Sequence, residues 1–289
     1  MPLKSSMIGL QGTAASDHLD DRWVMNYAAA VADDNTVYYE NRVSEPLPAH
    51  PAYISQLEWN AISHLHEEKL VDLTVDERIR GVHAFNATRL HRGLISDDQL
   101  SAQATVVGIE QRRAGGRMTI RIDTVDAAGK PVATSYTVNV YRGVEAEDEA
   151  PPPEIELGPR LNPLPRPVRM QEIEIGRLTP FTFSECARDY GPIHTDIKIA
   201  TDAGLPGLIL HGTGTIAFIL SALTNHEAGG DPGRVRGFQA RLTGMVMCPS
   251  VMRLRVFNRN SSGLIHYDVL TEAGDTAISD GILLLGEES

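Results

Sequence analysis

The chain runs Asp189-Tyr190-Gly191-Pro192-Ile193-His194 in its second half, and an apolar run, Leu208-Ile209-Leu210, then leads to His211-Gly212-Thr213-Gly214. The Gly-Pro pair excludes one regular helix through the first part, because proline removes a backbone donor and disfavours helical geometry in the residue before it. The segment is therefore predicted to turn. A turn can bring the side chains of Asp189 and His194 to one point, where an acid and a base can share one water.

The residues after His211 predict a largely buried helix, because apolar side chains dominate from Ile216 onward. Thr213 or Thr215 can cap its start. A glycine at position 212 lets a ligand oxygen approach the backbone closely. Free N–H groups and the helix dipole favour developing negative charge there, so the backbone of Gly212 is a candidate oxyanion donor.

The whole span from Phe183 to Val256 resembles the MaoC-like dehydratases, also called R-specific enoyl-CoA hydratases or hydratase 2. The signature of that family is roughly D-x-N-P-I-H followed by an apolar run and H-G, and order, spacing and flanks agree here. Two positions depart from it. Gly191 stands where the family usually has asparagine, and Arg188 stands where it often has glycine.

The resemblance implies an α+β fold, a tandem (double) hot-dog in which each half is an antiparallel sheet wrapped around a central helix. It also implies a hydro-lyase that converts trans-2-enoyl-CoA to (R)-3-hydroxyacyl-CoA, or the reverse. Asp189 and His194 would act on one water and Gly212 would hold the thioester oxygen. No cofactor is expected, since coenzyme A is part of the substrate. An acyl-CoA thioesterase and a non-catalytic subunit that binds acyl thioesters are the alternatives.

Five further residues are candidates for substrate binding. Lys198, Arg236 and Arg241 flank the motif and the strand after it, so they can pair with coenzyme A phosphates, although each can equally be a solvated surface charge. His211 is interpreted as a structural residue that fixes the turn. Thr213 either caps the helix or bonds to Asp189, and capping is the favoured interpretation.

The chain length suits two domains of about 100 to 150 residues each. Seven of the positions from Pro151 to Pro167 are proline, which predicts an extended, semi-rigid linker. We therefore predict an N-terminal hot-dog domain at 1–150, a linker at 151–167 and a catalytic domain at 168–289. The last domain also contains strand-like runs at 171–175, 236–242 and 252–256 and a hairpin that pairs 264–270 with 276–285.

The N-terminal half predicts an amphipathic helix from Asp20 to Asp33, a short strand over 36–40, and an antiparallel meander over 102–109, 118–123 and 132–140. Residues 44–82 are assigned only as irregular with some helix. This half contains no Asp followed five residues later by His, so we predict that it lacks the catalytic pair, and that its space holds a long or bulky acyl chain. His83 is interpreted as a hydrogen-bonded structural histidine, with a place in a substrate tunnel as the alternative.

The composition argues against several classes of function. A net charge of -12 argues against general nucleic-acid binding, and no window approaches the roughly 18 apolar residues of a membrane span. Two cysteines without CxxC spacing suit a reducing compartment, so a cytoplasmic location is expected. No metal site is expected, since the run from His64 to Glu67 has no second ligand cluster. The expected partner is an acyl thioester of coenzyme A or of a carrier protein, and a homodimer is compatible with the sequence.

Overall fold

The computed structural model describes residues 2–42, 46–68, 73–259 and 263–286. Within them the chain forms one ten-stranded antiparallel sheet and a set of helices. The strands are β1 (Ala15–His18), β2 (Gly81–Leu90), β3 (Gln99–Arg112), β4 (Gly115–Asp126), β5 (Pro131–Arg142), β6 (Arg169–Ile175), β7 (Val235–Leu242), β8 (Ser250–Arg259), β9 (Leu264–Leu270) and β10 (Thr276–Leu285). The α-helices are α1 (Asp21–Ala30), α2 (Ile54–Glu67), α3 (Val75–Ile79), α4 (Thr179–Ala187), α5 (Ile197–Asp202) and α6 (Gly212–Glu227).

The sheet consists of two similar halves joined edge to edge. Its strand order is β1-β3-β4-β5-β2-β7-β10-β9-β8-β6, so the second five strands repeat the order of the first five from the opposite edge. The halves meet where β2 pairs antiparallel with β7, with Ala87 opposite Gln239. Backbone hydrogen bonds therefore cross the join. The domain boundaries predicted at 150 and 168 stay a prediction.

Each half packs one long helix against the sheet. Helix α2 buries Leu57, Ala61 and Leu65 at helical spacing and packs mainly on β3 and β1. Helix α6 is buried at every position from Thr213 to Thr224. A helix that is buried all round lies at the centre of a core, which is why its sequence lacks a polar face. None of the helices in the described residues is long and apolar enough to cross a membrane.

The proline-rich stretch covers the other face of the sheet at the join. Residues 151–168 contain no helix or strand. Ile155 and Leu157 pack there against Phe85 and its buried neighbours, and the Leu157 N–H donates to Gln239 Oε1 (2.7 Å). Neighbouring residues on β7 point to opposite faces, so Gln239 lies on the face away from α6, whose side Phe238 faces.

Most predicted elements are confirmed, including α1, α6, the strands and the final hairpin. The Asp20 side chain caps α1. The strand predicted over 36–40 is wrong: Thr36–Tyr38 is a 3₁₀ turn, because the Asn35 side chain accepts the Val37 N–H (3.2 Å) and tightens the chain. The stretch 44–82 was predicted only as irregular with some helix, and it contains the central helix α2. Residues 44–45 and 69–72 of that stretch lie outside the described residues.

The turn that follows α4 repeats the turn that follows α1. Ala32 and Arg188 both have left-handed backbones, with φ of 53° and 52°. Three residues later, Asn35 (φ −60°, ψ 114°) and Gly191 (φ −58°, ψ 113°) adopt the same conformation, and each begins a 3₁₀ helix of three residues. The two halves therefore carry two copies of one turn, which differ in their side chains.

The chain segments that lead into the two central helices also correspond. Before α2, the Ala49 N–H donates to Leu94 O, and before α6 the Leu210 N–H donates to Val246 O, both at 2.8 Å. The next residue is a histidine in each case, His50 and His211. The duplication thus extends from the turns to the helix starts.

Candidate active site

The turn that places the acid and the base begins at the end of α4. The helix stops at Ala187, Arg188 takes the left-handed conformation, and the Asp189 N–H returns to Ser184 O (3.1 Å). Pro192 then starts the 3₁₀ helix that ends at His194. A proline suits this first position, since its fixed φ matches a helical turn.

The hydrogen bond of His194 fixes its tautomer. Its Nδ1 lies 3.0 Å from the carbonyl oxygen of Ile209, which can only accept, so Nδ1 carries the proton and Nε2 carries a free lone pair. Burial lowers the pKa of His194 below its ordinary value of 6.5. The imidazole is therefore neutral at pH 7 and its Nε2 can accept a proton.

Asp189 and His194 meet at Gly191. Thr213 Oγ1 donates to Oδ2 of Asp189 (3.0 Å), which leaves Oδ1 for another partner. An ideal Cβ built on Gly191 would lie 3.5 Å from His194 Nε2 and 3.8 Å from Asp189 Oδ1. One point of space is thus within contact distance of both atoms, and the absence of a side chain at 191 keeps it open.

His211 contacts both His194 and the backbone of Asp189 and so fixes their relative position. Its ring stacks on that of His194, with centroids 3.8 Å apart at 27°. Its Nε2 lies 3.1 Å from Asp189 O and 3.0 Å from Ser184 Oγ, so it ties the turn to α4. Burial, followed by the neighbouring His194, lowers the pKa of His211 to about 4.

The start of α6 leaves its backbone donors without a side-chain cap. Gly212 is the first helical residue, and His211 before it makes no capping hydrogen bond. The first N–H groups of a helix have no intrahelical partner, so they are available to an oxygen atom. A Cβ at position 212 would lie 2.9 Å from Leu242 Cδ1 and 3.3 Å from His83 Nδ1, so a side chain there would require Leu242 to shift.

The interpretation of Thr213 as a helix cap is wrong. Its hydroxyl donates to Asp189 instead (3.0 Å), which was the alternative interpretation. Thr215 does not cap the helix either, since its hydroxyl donates to His211 O (3.0 Å) inside the first turn. Thr213 therefore positions the acid.

Arg188 anchors the turn to the other half of the molecule. Its guanidinium donates to both carboxylate oxygens of Asp17 (3.1 and 2.6 Å) and to Tyr53 Oη (2.9 Å). It also lies over the ring of Trp23, 4.7 Å from the centroid. These contacts explain how a non-glycine residue is held in a left-handed conformation directly before Asp189.

The three basic candidates lie apart from this cluster. Lys198 is exposed on α5, where its Nζ pairs with Asp202 (2.7 Å). Arg236 is half-buried and donates to Gly233 O. Arg241 faces the proline-rich stretch, paired with Asp280 (2.8 Å) and Glu156 (3.2 Å), so two carboxylates already neutralise it. The structure thus brings together Asp189, His194, His211, Gly212 and Thr213. The three basic side chains lie elsewhere.

His83 also lies beside the candidate active site. His83, on β2 of the N-terminal half, packs edge-on against Trp59 and reaches the start of α6. Both of its ring nitrogens are buried, and within the described residues neither makes a hydrogen bond of good geometry, although the Phe85 backbone interacts with the ring and acts to raise its pKa. The interpretation of His83 as a hydrogen-bonded structural histidine stays a prediction. No group of three or more metal-ligating side chains occurs in the parts of the chain that the structure describes.

Comparisons with known proteins give family matches in both halves of the chain. Residues 162–277 match the family model described as MaoC like domain, and residues 6–135 match that of the FAS1-like, dehydratase domain region. The β subunit of fatty acid synthase from Aspergillus oryzae is 30% identical over 141 residues, which are 48% of this chain. The match spans only 6% of the length of that relative.

Solved structures show the fold. A MaoC-like dehydratase from Phytophthora capsici covers 98% of both chains with a TM-score of 0.82 at 17% identity. A Mycobacterium tuberculosis protein described as having a double hotdog fold covers 96% of both chains with a TM-score of 0.59 at 13% identity. The α+β double hot-dog predicted from the sequence is therefore confirmed.

Proposed function

From its MaoC-like domain at 162–277 and its FAS1-like dehydratase region at 6–135, both shown by family matches, we propose that the chain is a hydro-lyase of acyl thioesters. It hydrates a trans-2-enoyl thioester to the (R)-3-hydroxyacyl thioester, or runs the reverse dehydration. The carrier is coenzyme A or an acyl carrier protein, and similarity to a fatty acid synthase subunit supports a fatty-acyl type of substrate.

The observation that carries this proposal is the point beside Gly191 that lies within contact distance of Asp189 Oδ1 and His194 Nε2. The reacting water is placed in the open space next to Gly191, where it faces a carboxylate oxygen and an unprotonated imidazole nitrogen. General acid-base catalysis requires both groups near the reacting water and in the correct protonation state. The lowered pKa of His194 keeps its imidazole neutral, which is the form that can accept a proton.

In the hydration direction, the water oxygen forms a bond to C3 and one of its protons passes to the Asp189–His194 pair. The electron pair of the C2–C3 double bond moves toward the thioester carbonyl, and C2 then takes a proton from the same pair. Because both groups contact one point, hydroxyl and proton arrive on one face of the substrate. Both protons are accounted for within the pair and the water.

The uncapped start of α6 serves the charge that develops on the thioester oxygen. The N–H of Gly212 points from a helix N-terminus, where backbone donors and the helix dipole favour negative charge. Thr213, the next residue, orients the acid. A single segment thus fixes the oxyanion donor relative to the Asp189–His194 pair. Among the basic candidates, we propose Lys198 for the carrier phosphates, since it is exposed and lies just after the turn.

The test follows the loss of enoyl-thioester absorbance over a chain-length series of trans-2-enoyl-CoA substrates. Asp189→Asn and His194→Ala should each lower kcat by about 10²- to 10⁴-fold, the usual share of general acid-base catalysis. Chiral analysis of the product should give the R enantiomer. His226→Ala and Asp275→Asn are the matched controls, since both side chains are exposed and outside the site, and both should keep the native rate.

Two outcomes would contradict the proposal. Release of free thiol in place of loss of the double bond would identify a thioesterase. Binding of the thioesters without any turnover, unaffected by Asp189→Asn, would indicate a non-catalytic binding subunit.

A further inference from the structure

A small buried cavity lies beside the candidate active site, between the two central helices and the sheet join. Its volume is about 10 Å³, enough for one water-sized group. Helix α2, strands β2, β5 and β7 and the first turn of α6 all contribute to its wall. The polar side chains that line it are Ser55, Glu58, His83, Asn86, Thr137 and Thr213. Apolar side chains, among them Ile62, Ile216 and Phe238, complete the lining. The expectation that the N-terminal half holds a long or bulky acyl chain stays a prediction.

One side chain, Thr213, separates the cavity from the catalytic candidate Asp189. Thr213 lines it and also donates its hydroxyl proton to Asp189. His83 lines it as well, and its Nδ1 lies 3.3 Å from the place of a Cβ on Gly212, the proposed oxyanion donor. A substrate whose thioester oxygen binds Gly212 therefore directs the atoms a few carbons further along its acyl chain toward this cavity.

His83 needs a partner that both donates and accepts a hydrogen bond. Burial lowers its pKa to about 4, so at pH 7 its ring is neutral, with one N–H donor and one lone pair. Both nitrogens are buried and make no hydrogen bond of good geometry within the described residues, so the Phe85 backbone is at most a weak partner. Buried polar groups are normally satisfied, and each exception calls for an explanation, such as a ligand.

Glu58 adds a carboxyl group to the same cavity. Its Oε1 accepts from Ser135 Oγ, which lies 3.0 Å from Thr88 Oγ1, and Thr88 Oγ1 donates to Asn86 Oδ1 (3.2 Å). When Glu58 is protonated it can instead donate to Ser135, whose hydroxyl then donates to Thr88. Burial raises the pKa of Glu58 to about 7, so about half of these side chains are protonated at pH 7.

These groups select between classes of acyl chain. A hydroxyl group both donates and accepts, so it can pair with a neutral imidazole and with a carboxyl group. A methyl or methylene group can do neither, so it would leave the His83 nitrogens without a good hydrogen bond. A site built to bind a substrate hydroxyl rejects the analogue that lacks it far more strongly than an apolar pocket rejects an extra group.

We propose that this cavity is a subsite for a hydroxyl group on the acyl chain, bound by His83 and Glu58, so that the substrate is a short enoyl thioester with a hydroxyl beyond the reacting C2–C3 bond. The subsite rests on the proposed hydratase function for its place in catalysis. Its binding chemistry depends only on the cavity itself.

The test compares trans-2-hexenoyl-CoA with its three derivatives that carry a hydroxyl on carbon 4, 5 or 6. We expect kcat/KM for at least one derivative to exceed that of the parent by about tenfold or more. In His83→Phe, which keeps an aromatic ring without nitrogens, this ratio should fall to about one. Glu58→Gln keeps a neutral group that donates and accepts and should retain the ratio, whereas Glu58→Leu should lose it. His226→Ala serves as the control with an unchanged ratio.

The saturated analogues separate this proposal from the proposed function. Binding of hexanoyl-CoA and the matching hydroxyhexanoyl-CoA is measured by calorimetry, which requires no turnover. A binding preference for the hydroxylated ester that disappears in His83→Phe upholds the subsite even if no variant hydrates anything. Hydration of plain hexenoyl-CoA at an equal or higher rate overturns the subsite and leaves the hydratase standing. A preference that survives in His83→Phe also overturns it.

Discussion

The turn after α1 and the turn after α4 share a backbone but use it in opposite ways. Asp33 and Tyr38 occupy the positions that Asp189 and His194 occupy in the second copy. Asp33 is 3% exposed and its Oδ1 accepts from the Asn225 side chain (3.0 Å), and Tyr38 is fully buried. Burial raises the pKa of Tyr38 above its ordinary value, so its phenol is no base at neutral pH. Only the second copy leaves its acid and base accessible.

The two helix entrances show the same contrast. The ring of His50 turns toward the helix, and its Nδ1 accepts the Ala52 N–H (3.1 Å). The ring of His211 turns away, toward Ser184 and the carbonyl of Asp189, and leaves the start of α6 uncapped. One histidine thus completes a structural cap, while the other organises a turn and leaves the backbone donors to a ligand. A site arises here from groups that the fold leaves unsatisfied.

The largest effect is expected from making the second turn resemble the first. His194→Tyr should lower kcat by about 10²- to 10⁴-fold, because a tyrosine with a pKa near 10 is protonated at pH 7 and cannot take a proton from water. The hydration assay with trans-2-enoyl-CoA measures this loss. Retention of more than a tenth of the native rate would mean that His194 is not the base.

Tyr38→Phe provides the matched change in the first turn. The Tyr38 hydroxyl is buried and has no hydrogen-bond partner within the described residues, so its removal should leave kcat within about twofold and should not lower the free energy of unfolding. An equal loss of activity in both variants would show that the first turn also takes part in the reaction.

The next largest effect concerns the helix entrances. Pro51 follows His50 where Gly212 follows His211, and the backbone of His211 (φ −54°, ψ 143°) already suits a residue before proline. Gly212→Pro removes the proposed oxyanion N–H, so kcat should fall about 10²- to 10³-fold below that of Gly212→Ala. Both variants place a Cβ against Leu242 and His83, and their comparison therefore isolates the N–H. Equal rates in the two variants would remove Gly212 from the mechanism.

Much of the fold and the centre of the site could be predicted from the sequence. The Gly-Pro pair, the spacing of Asp189 and His194 and the His-Gly helix start are local signals, and the local structure agrees with them. The copy at 33–38 escaped notice, because its repeat lies in backbone angles while its residues differ. The place of His83 beside Gly212 could not be predicted, because it depends on the pairing of β2 with β7, a contact between halves that no local pattern encodes.

A smaller effect concerns how the free energy of unfolding depends on pH, through His50 and His211 at the starts of the two central helices. Burial lowers the pKa of His50 and of His211 to about 4, whereas each titrates near 6.5 in the unfolded chain. Between pH 6.5 and about 4 the unfolded state therefore binds more protons than the folded state. The contribution of the two neutral histidines to the free energy of unfolding is therefore fully present above pH 6.5. It is lost as the pH falls, by up to about 1.4 kcal/mol per pH unit for each histidine.

His50→Asn tests this assignment by urea unfolding across that range. Asparagine at the same position can still accept the Ala52 N–H, since it is a preferred N-cap residue, but it does not titrate. The slope of the unfolding free energy against pH should decrease by up to about 1.4 kcal/mol per pH unit relative to the native chain. An unchanged slope would mean that His50 is protonated in the folded state.

The smallest effect separates backbone strain from side-chain contacts at the left-handed residues. Ala32→Gly relieves the strain in the first turn without loss of a contact and should raise the free energy of unfolding by about 1 kcal/mol, since a left-handed backbone costs a non-glycine residue about 1–2 kcal/mol. Arg188→Gly relieves the same strain but removes the pair with Asp17, so it should be less stable than the native chain. Arg188→Ala loses the pair with Asp17 and keeps the backbone strain. Its free energy of unfolding should therefore be about 1 kcal/mol below that of Arg188→Gly. If Arg188→Gly instead gained as much as Ala32→Gly, the guanidinium contacts would contribute nothing to stability, and the arginine before Asp189 would need another explanation than anchoring the turn.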